Sequence, residues 1–131
     1  MKRRIFPHFL WKTSSFCVIM LTVKKRTAHR REKQENIMKR HNGRIIAVLT
    51  LYNMDLSKLT DIETLNVLND FIMMEAEEEY PVEIDNLYAH KIVDGVCVNL
   101  NIVDDIISKS LVKYTIDRLS FVDRALIRVA T

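Results

Sequence analysis

The sequence predicts an all-α fold, and three observations carry that prediction. Glycine and proline number only two each in 131 residues, well below ordinary usage, which disfavours turn-rich β sandwiches. Apolar residues recur at helical spacing in successive segments, with no period-two alternation. Helix-start signatures also precede those segments, the clearest being Thr60 followed by Glu63. A chain of this length holds one domain plus tails.

The formal net charge of +3 hides a division of the chain. Residues 1–37 carry ten Lys/Arg against two Glu, a net of +8, whereas residues 38–131 carry ten against fifteen Asp/Glu, a net of −5. Any nucleic-acid surface in the second part is therefore a local basic patch. In the first part, Pro7, His8, Lys12 and Thr13–Ser15 break the apolar run and leave only Phe16 to Val23 uninterrupted. That is far short of the ~20 residues a membrane span needs, and no small-residue cleavage site follows. Lys24 to Lys33 could serve as a basic arm. The favoured expectation is that residues 1–37 are an extension, disordered or untranslated, with Met38 as the start. Gln34-Glu35 can be encoded by CAGGAG, which contains a bacterial ribosome-binding sequence at a workable distance from Met38.

From Met38 the elements follow in order. A basic lead (Lys39, Arg40, His41, Arg44) runs into the apolar segment Ile45 to Tyr52, which pattern alone allows as buried strand or buried helix. As a helix it has two adjoining apolar faces, 45/48/49/52/56 and 47/48/51/54, so burial over more than half its circumference is expected, with Asn42 as N-cap. Gly43 weakens that start. Ser57 to Thr60 is the turn. Asp61 to Glu79 is amphipathic through Ile62, Leu65, Leu68, Ile72 and Ala76, and Pro81 ends it. Glu75 and Glu77–Glu79 read as a solvated helix end. Asp85 caps a third helix carrying Leu87, Tyr88, Ile92, Val93, Val96 and Leu100, in which Gly95 suggests close approach of another helix. Asn101 caps a fourth, with Ile102, Val103, Ile106, Ile107 and Leu111 inward. After a break at Tyr114–Ser120, Ser120 opens a last helix through Phe121, Val122, Leu126, Ile127 and Ala130, with Asp123 in its first turn.

No phosphate loop, GxSxG or HExxH motif occurs, and the four histidines (8, 29, 41, 90) are scattered. No catalytic constellation, metal site or cofactor is indicated, so the chain reads as non-enzymatic. Cys17 and Cys97 form no CxxC pair, which points to a reduced, cytoplasmic protein; Cys97 lies in an apolar run and reads as core.

Three blocks, in order, resemble the NusB family of bacterial transcription antitermination proteins. Met38-Lys-Arg-His-Asn-Gly-Arg-Ile-Ile-Ala-Val-Leu-Thr-Leu-Tyr-Asn-Met-Asp is similar to the family's opening, with its basic residues, Arg, Ala-Val and Leu-Tyr. Tyr88 to Asn99 resembles its third helix, and Ile116-Asp-Arg-Leu-Ser-Phe-Val-Asp-Arg-Ala-Leu-Ile-Arg-Val-Ala130 its fifth-helix region. The resemblance covers residues 38–131. It implies a NusB-like helical bundle truncated within its fifth helix, since the family continues through two further helices. Apolar faces at Val122, Leu126 and Ile127 are then expected to be partly uncovered.

The resemblance further implies binding to the boxA element of ribosomal RNA leader transcripts. The partners it implies are NusE, a small-subunit ribosomal protein, and the RNA polymerase antitermination complex, with no membrane involved. Lys39, Arg40 and Arg44 would contact RNA, a few cations at a helix start being able to clamp phosphates. Tyr52 would stack on a base or pack in the core; Asp123 would accept from a base edge or merely complement the helix start; Arg124 belongs to the same face. Arg118, Arg124 and Arg128 could equally solvate the last helix or pair with Asp117 and Asp123. Two alternatives stand beside the antitermination reading: the NusB-like RNA-binding domain of a ribosomal RNA cytosine methyltransferase, and a nonfunctional truncated product.

Overall fold

Lys58 takes φ 52°, the left-handed conformation that lets a chain leave one helix and enter the next, and it sits where the sequence places a turn. In the computed structural model, which describes residues 15–131 and side chains from residue 21, helix α1 (Ser15–Ser57) ends there. The basic start and the Pro7–Trp11 part of the leader, with the side chain of Cys17, lie outside the described residues. α2 (Asp61–Glu77), α3 (Asn86–Val98), α4 (Leu100–Ser110), a 3-10 turn (Ile116–Arg118) and α5 (Phe121–Ala130) follow. Among the described residues there is no strand, and no helix is long and apolar enough to cross a membrane. The all-α prediction holds.

The chain divides into two units, Met1–Asn36 and Ile37–Thr131, and the division falls within α1. In the first unit, residues 21–36 are helical and exposed throughout. Because α1 is already helical well before Asn42, that residue is not an N-cap; its side-chain amide donates instead to the Glu83 carbonyl at 2.9 Å.

In the second unit the caps of α2, α3 and α5 are those the sequence predicts. Thr60 and Glu63 form the reciprocal capping box, the Asp85 carboxylate accepts from Tyr88 N–H at 3.0 Å, and Ser120 Oγ accepts from Asp123 N–H at 3.1 Å. Each satisfies a backbone donor that the helix leaves unpaired. α4 starts earlier than expected: Asn99, not Asn101, is its N-cap residue, with no side-chain cap bond, and Leu100, expected on the third helix, is the first residue of α4. The Asn99 amide donates back to Gly95 O at 2.9 Å, closing α3 instead.

The core is built from Ile46, Ala47, Leu51 and Met54 of α1, Leu68 of α2, Ala89, Val93, Val96 and Cys97 of α3, and Ala125 of α5. Leu51, Leu68 and Val93 are wholly enclosed, each worth about 1.5–3 kcal/mol relative to exposure. Thr50 and Thr64 are also enclosed, and each hydroxyl is satisfied by donating to a carbonyl, of Ile46 and Thr60 respectively, at 2.8 Å.

Only one of the two α1 faces is buried. Ile45, Leu49 and Leu56 remain about half exposed, because no described helix covers them. Ile45, Val48 and Leu49 instead line a groove of about 620 Å³ with Leu126, Val129 and Ala130 of α5. Val122 and Leu126 are about half exposed, as expected. Leu87, Ile62, Ile102 and Ile106, expected inward, are also open to solvent, as is Ala76; in α4 only Ile107 is fully buried.

The two glycines exchange the roles expected of them. Gly95 is exposed, and a Cβ there would meet nothing within 4 Å. Gly43 is the close approach: it is buried, and a Cβ would lie 3.3 Å from Asp85 O and 3.5 Å from Tyr88 Cδ1.

Arg128 departs furthest from expectation. It is 5% exposed, and its guanidinium donates to both oxygens of Asp104 (2.8 Å each) and both of Asp55 (2.9 and 2.8 Å). It therefore clasps α5 to α4 and α1 rather than solvating an outer face or pairing with Asp117 and Asp123. Burial disfavours its charge, but the bonds to Asp104 and then Asp55 prevail and hold its pKa above the ordinary value.

Candidate nucleic-acid interface

Lys39, Arg40 and Arg44 lie on α1 where Gly43 admits the start of α3. With no side chain at Gly43, the segment 82–85 runs against the helix. Asp85 N–H donates to Lys39 O at 3.1 Å and Asn42 to Glu83 O at 2.9 Å. These backbone ties set two carboxylates beside two of the cations. Lys39 Nζ is 2.9 Å from Glu83 Oε2, and Arg40 Nε is 3.8 Å from Asp85 Oδ2. The first is a direct ion pair. The second is proximity without a hydrogen bond, so the Arg40 donors stay available.

Arg40 and Arg44 are one helical turn apart and share a face. Each carries its guanidinium carbon 5.4 Å from the centroid of the Tyr88 ring, within cation–π range. Arg44 is exposed, and no carboxylate among the described residues pairs with it. The arrangement is thus a cationic edge, Lys39–Arg40–Arg44, laid over an aromatic ring and partly countered by Glu83 and Asp85.

The other three predicted site residues stand apart from this edge. Tyr52 is partly buried against the core. Asp123 is exposed, and its carboxylate accepts from Ser120 Oγ at 2.7 Å within the α5 cap. Arg124 is turned inward: its guanidinium donates to Ile116 O at 3.0 Å, lies 3.7 Å from Asp55 Oδ2 and sits over the Phe121 ring at 5.7 Å, with Nε buried and unbonded. Sequence reading missed Glu83, Asp85 and Tyr88 as neighbours of the cations. The one available signal was Gly43, since glycine inside a helix often marks a close backbone approach.

The remaining chemistry is sparse. Among the described residues no group of His, Cys, Asp and Glu is placed to hold a metal. Cys97 is a core residue whose thiol is pushed up to about 11, chiefly by burial and further by Asp61 and Asp94, against a smaller opposing effect of Arg128. A thiol so protonated is a poor nucleophile.

A sequence model of the NusB family matches residues 41–131, which take in Arg44, Tyr88 and all of α2 to α5. The chain belongs to the NusB family. It is similar to the transcription antitermination protein NusB of Buchnera aphidicola subsp. Cinara cedri, with 33% identity over 94 residues, 71% of this chain and 61% of that protein. The proteins of the same name from Shouchella clausii (37% over 93 residues, 70% and 62%) and Oceanobacillus iheyensis (30% over 93 residues, 71% and 65%) are also similar. The chain thus spans less than two thirds of the length of these NusB relatives. No solved structure matches it.

Proposed function

We propose that this NusB-family chain is a non-enzymatic, cytoplasmic RNA-binding factor of transcription antitermination. It acts on the boxA element of ribosomal RNA leader transcripts, together with NusE and the RNA polymerase complex. Family membership and the names of its relatives support the process. The observation that carries the RNA role is the cationic edge of Lys39, Arg40 and Arg44, half-buried at Lys39 and exposed at the two arginines, with Arg44 free of any described carboxylate. Such an edge suits backbone phosphates, which position a strand without reading its sequence. Base recognition on single-stranded RNA then needs stacking or edge contacts beside it. Tyr52, Asp123 and Arg124 have structural contacts that account for them, and the reading rests on the three cations.

The test is fluorescence anisotropy of a boxA RNA against salt, with and without NusE, for the wild-type chain and for the triple change of Lys39, Arg40 and Arg44 to Ala. Three phosphate contacts on a single strand predict a log–log salt slope shallower by about 2 in the variant. An equal slope with weaker binding would remove the phosphate role. Equal affinity would remove the reading altogether.

A further inference from the structure

We propose that Tyr88, with Arg40 and Arg44, forms a subsite for one unpaired nucleotide of single-stranded RNA. The base stacks on the cluster's exposed planar groups, and the adjoining phosphates lie on the guanidiniums. The inference rests on the RNA-binding reading above and adds to its phosphate contacts a base contact centred on Tyr88.

The ring is placed by backbone, not by the arginines. Tyr88 N–H is capped by the Asp85 carboxylate at 3.0 Å, and Cδ1 lies 3.5 Å from where a Gly43 Cβ would be. The phenol therefore lies at the start of α3, half-buried beside Gly43 of α1. Two guanidiniums over one ring, both at 5.4 Å, exceed what packing at this site requires; an aliphatic side chain would fill the same contact with Gly43. Aromatic rings and guanidinium planes are the two surfaces on which proteins stack unpaired bases. Stacking of this kind accepts any base, so the subsite predicts affinity for single strands rather than a sequence preference. Arg44 faces no described carboxylate, and Asp85 sits beyond hydrogen-bond length from Arg40 Nε, so both cations retain donors for phosphate.

The experiment uses the full chain and two probes of matched charge, a uridine dodecamer and a linear polyphosphate that has no bases. Tyr88→Leu should weaken dodecamer binding about fivefold or more, leave polyphosphate binding unchanged, and preserve the salt slope, while Tyr88→Phe binds both probes like wild type. Arg44→Ala should weaken both probes and make the slope shallower by about 0.7. If Tyr88→Leu weakens both probes equally, the ring only positions the arginines and the subsite is overturned. Unchanged dodecamer binding by Tyr88→Leu overturns it too. Should Arg40→Ala and Arg44→Ala leave the dodecamer unaffected, it is the RNA-binding reading that falls. Circular dichroism melting verifies each fold, and Tyr88→Met, a good helix former, replaces Tyr88→Leu if the latter does not fold.

Discussion

Replacing Arg128 with alanine should unfold the second unit more readily than any change at the candidate interface. The side chain is 5% exposed and makes four charge-assisted bonds of 2.8–2.9 Å to Asp55 and Asp104. These share one cation and cannot be summed. The relevant quantity is the penalty for stranding the partners, about 3–5 kcal/mol when one member of a buried pair is removed. Asp104 is 28% exposed and rehydrates in part, and Asp55, 13% exposed, keeps Arg124 at 3.7 Å. The lower end, about 3 kcal/mol, is therefore expected, a large share of the ~5–15 kcal/mol that holds a domain together. Urea unfolding followed by circular dichroism should give a midpoint lower by about 1–3 M at unchanged slope, for slopes of about 1–3 kcal/mol/M. Arg128→Met should be equally destabilising, because it restores packing but not charge. Adding Asp55→Asn and Asp104→Asn to Arg128→Met should recover part of the loss. A loss below about 1 kcal/mol in Arg128→Ala would refute the clasp.

Thr60→Ala removes the capping box of α2 and should lower stability by about 1 kcal/mol in the same assay. The Glu63 carboxyl is held below its ordinary pKa by the Thr60 backbone and side-chain bonds; its small contribution is present at neutral pH and fades as pH falls through that lowered value. Cys97 should resist iodoacetamide at pH 8 in the folded protein and react on unfolding, read peptide by peptide in mass spectrometry. With its pKa raised from 9.0 to about 11, its contribution to stability is complete below pH 9 and is lost as pH rises toward 11. Asp85→Asn keeps an N-cap of similar quality but removes the carboxylate beside Arg40. RNA affinity at low salt should rise about two- to fivefold, in keeping with a surface pair, and the gain should vanish at high salt.

What was legible in the sequence was local. The caps at Thr60, Asp85 and Ser120 each depend on a donor three residues away, so short spacing suffices to read them. Asn101 was misread for the same reason in reverse: α3 and α4 are separated by Asn99 alone, and the apolar period runs across the junction without a break. The second apolar face of α1 reads as core because its composition is core-like, yet burial depends on what lies opposite, which no periodicity encodes. Arg128 illustrates the general difficulty. Acids and bases sit next to one another in Asp117–Arg128 and invite local pairing, but the true partners are 24 and 73 residues away.

The same long-range pairing governs how the basic edge can work. Counted from sequence, Lys39, Arg40 and Arg44 are three equal cations. In the fold they differ: Lys39 is in a direct ion pair with Glu83, Arg40 is near Asp85 but not bonded to it, and Arg44 meets the Tyr88 ring and no described carboxylate. A phosphate reaching Lys39 must replace a carboxylate already in place, whereas at Arg44 it displaces only water. The energetic return per contact therefore increases from Lys39 to Arg44, although their formal charges are identical. It follows that the end of the edge nearest Tyr88 should dominate binding.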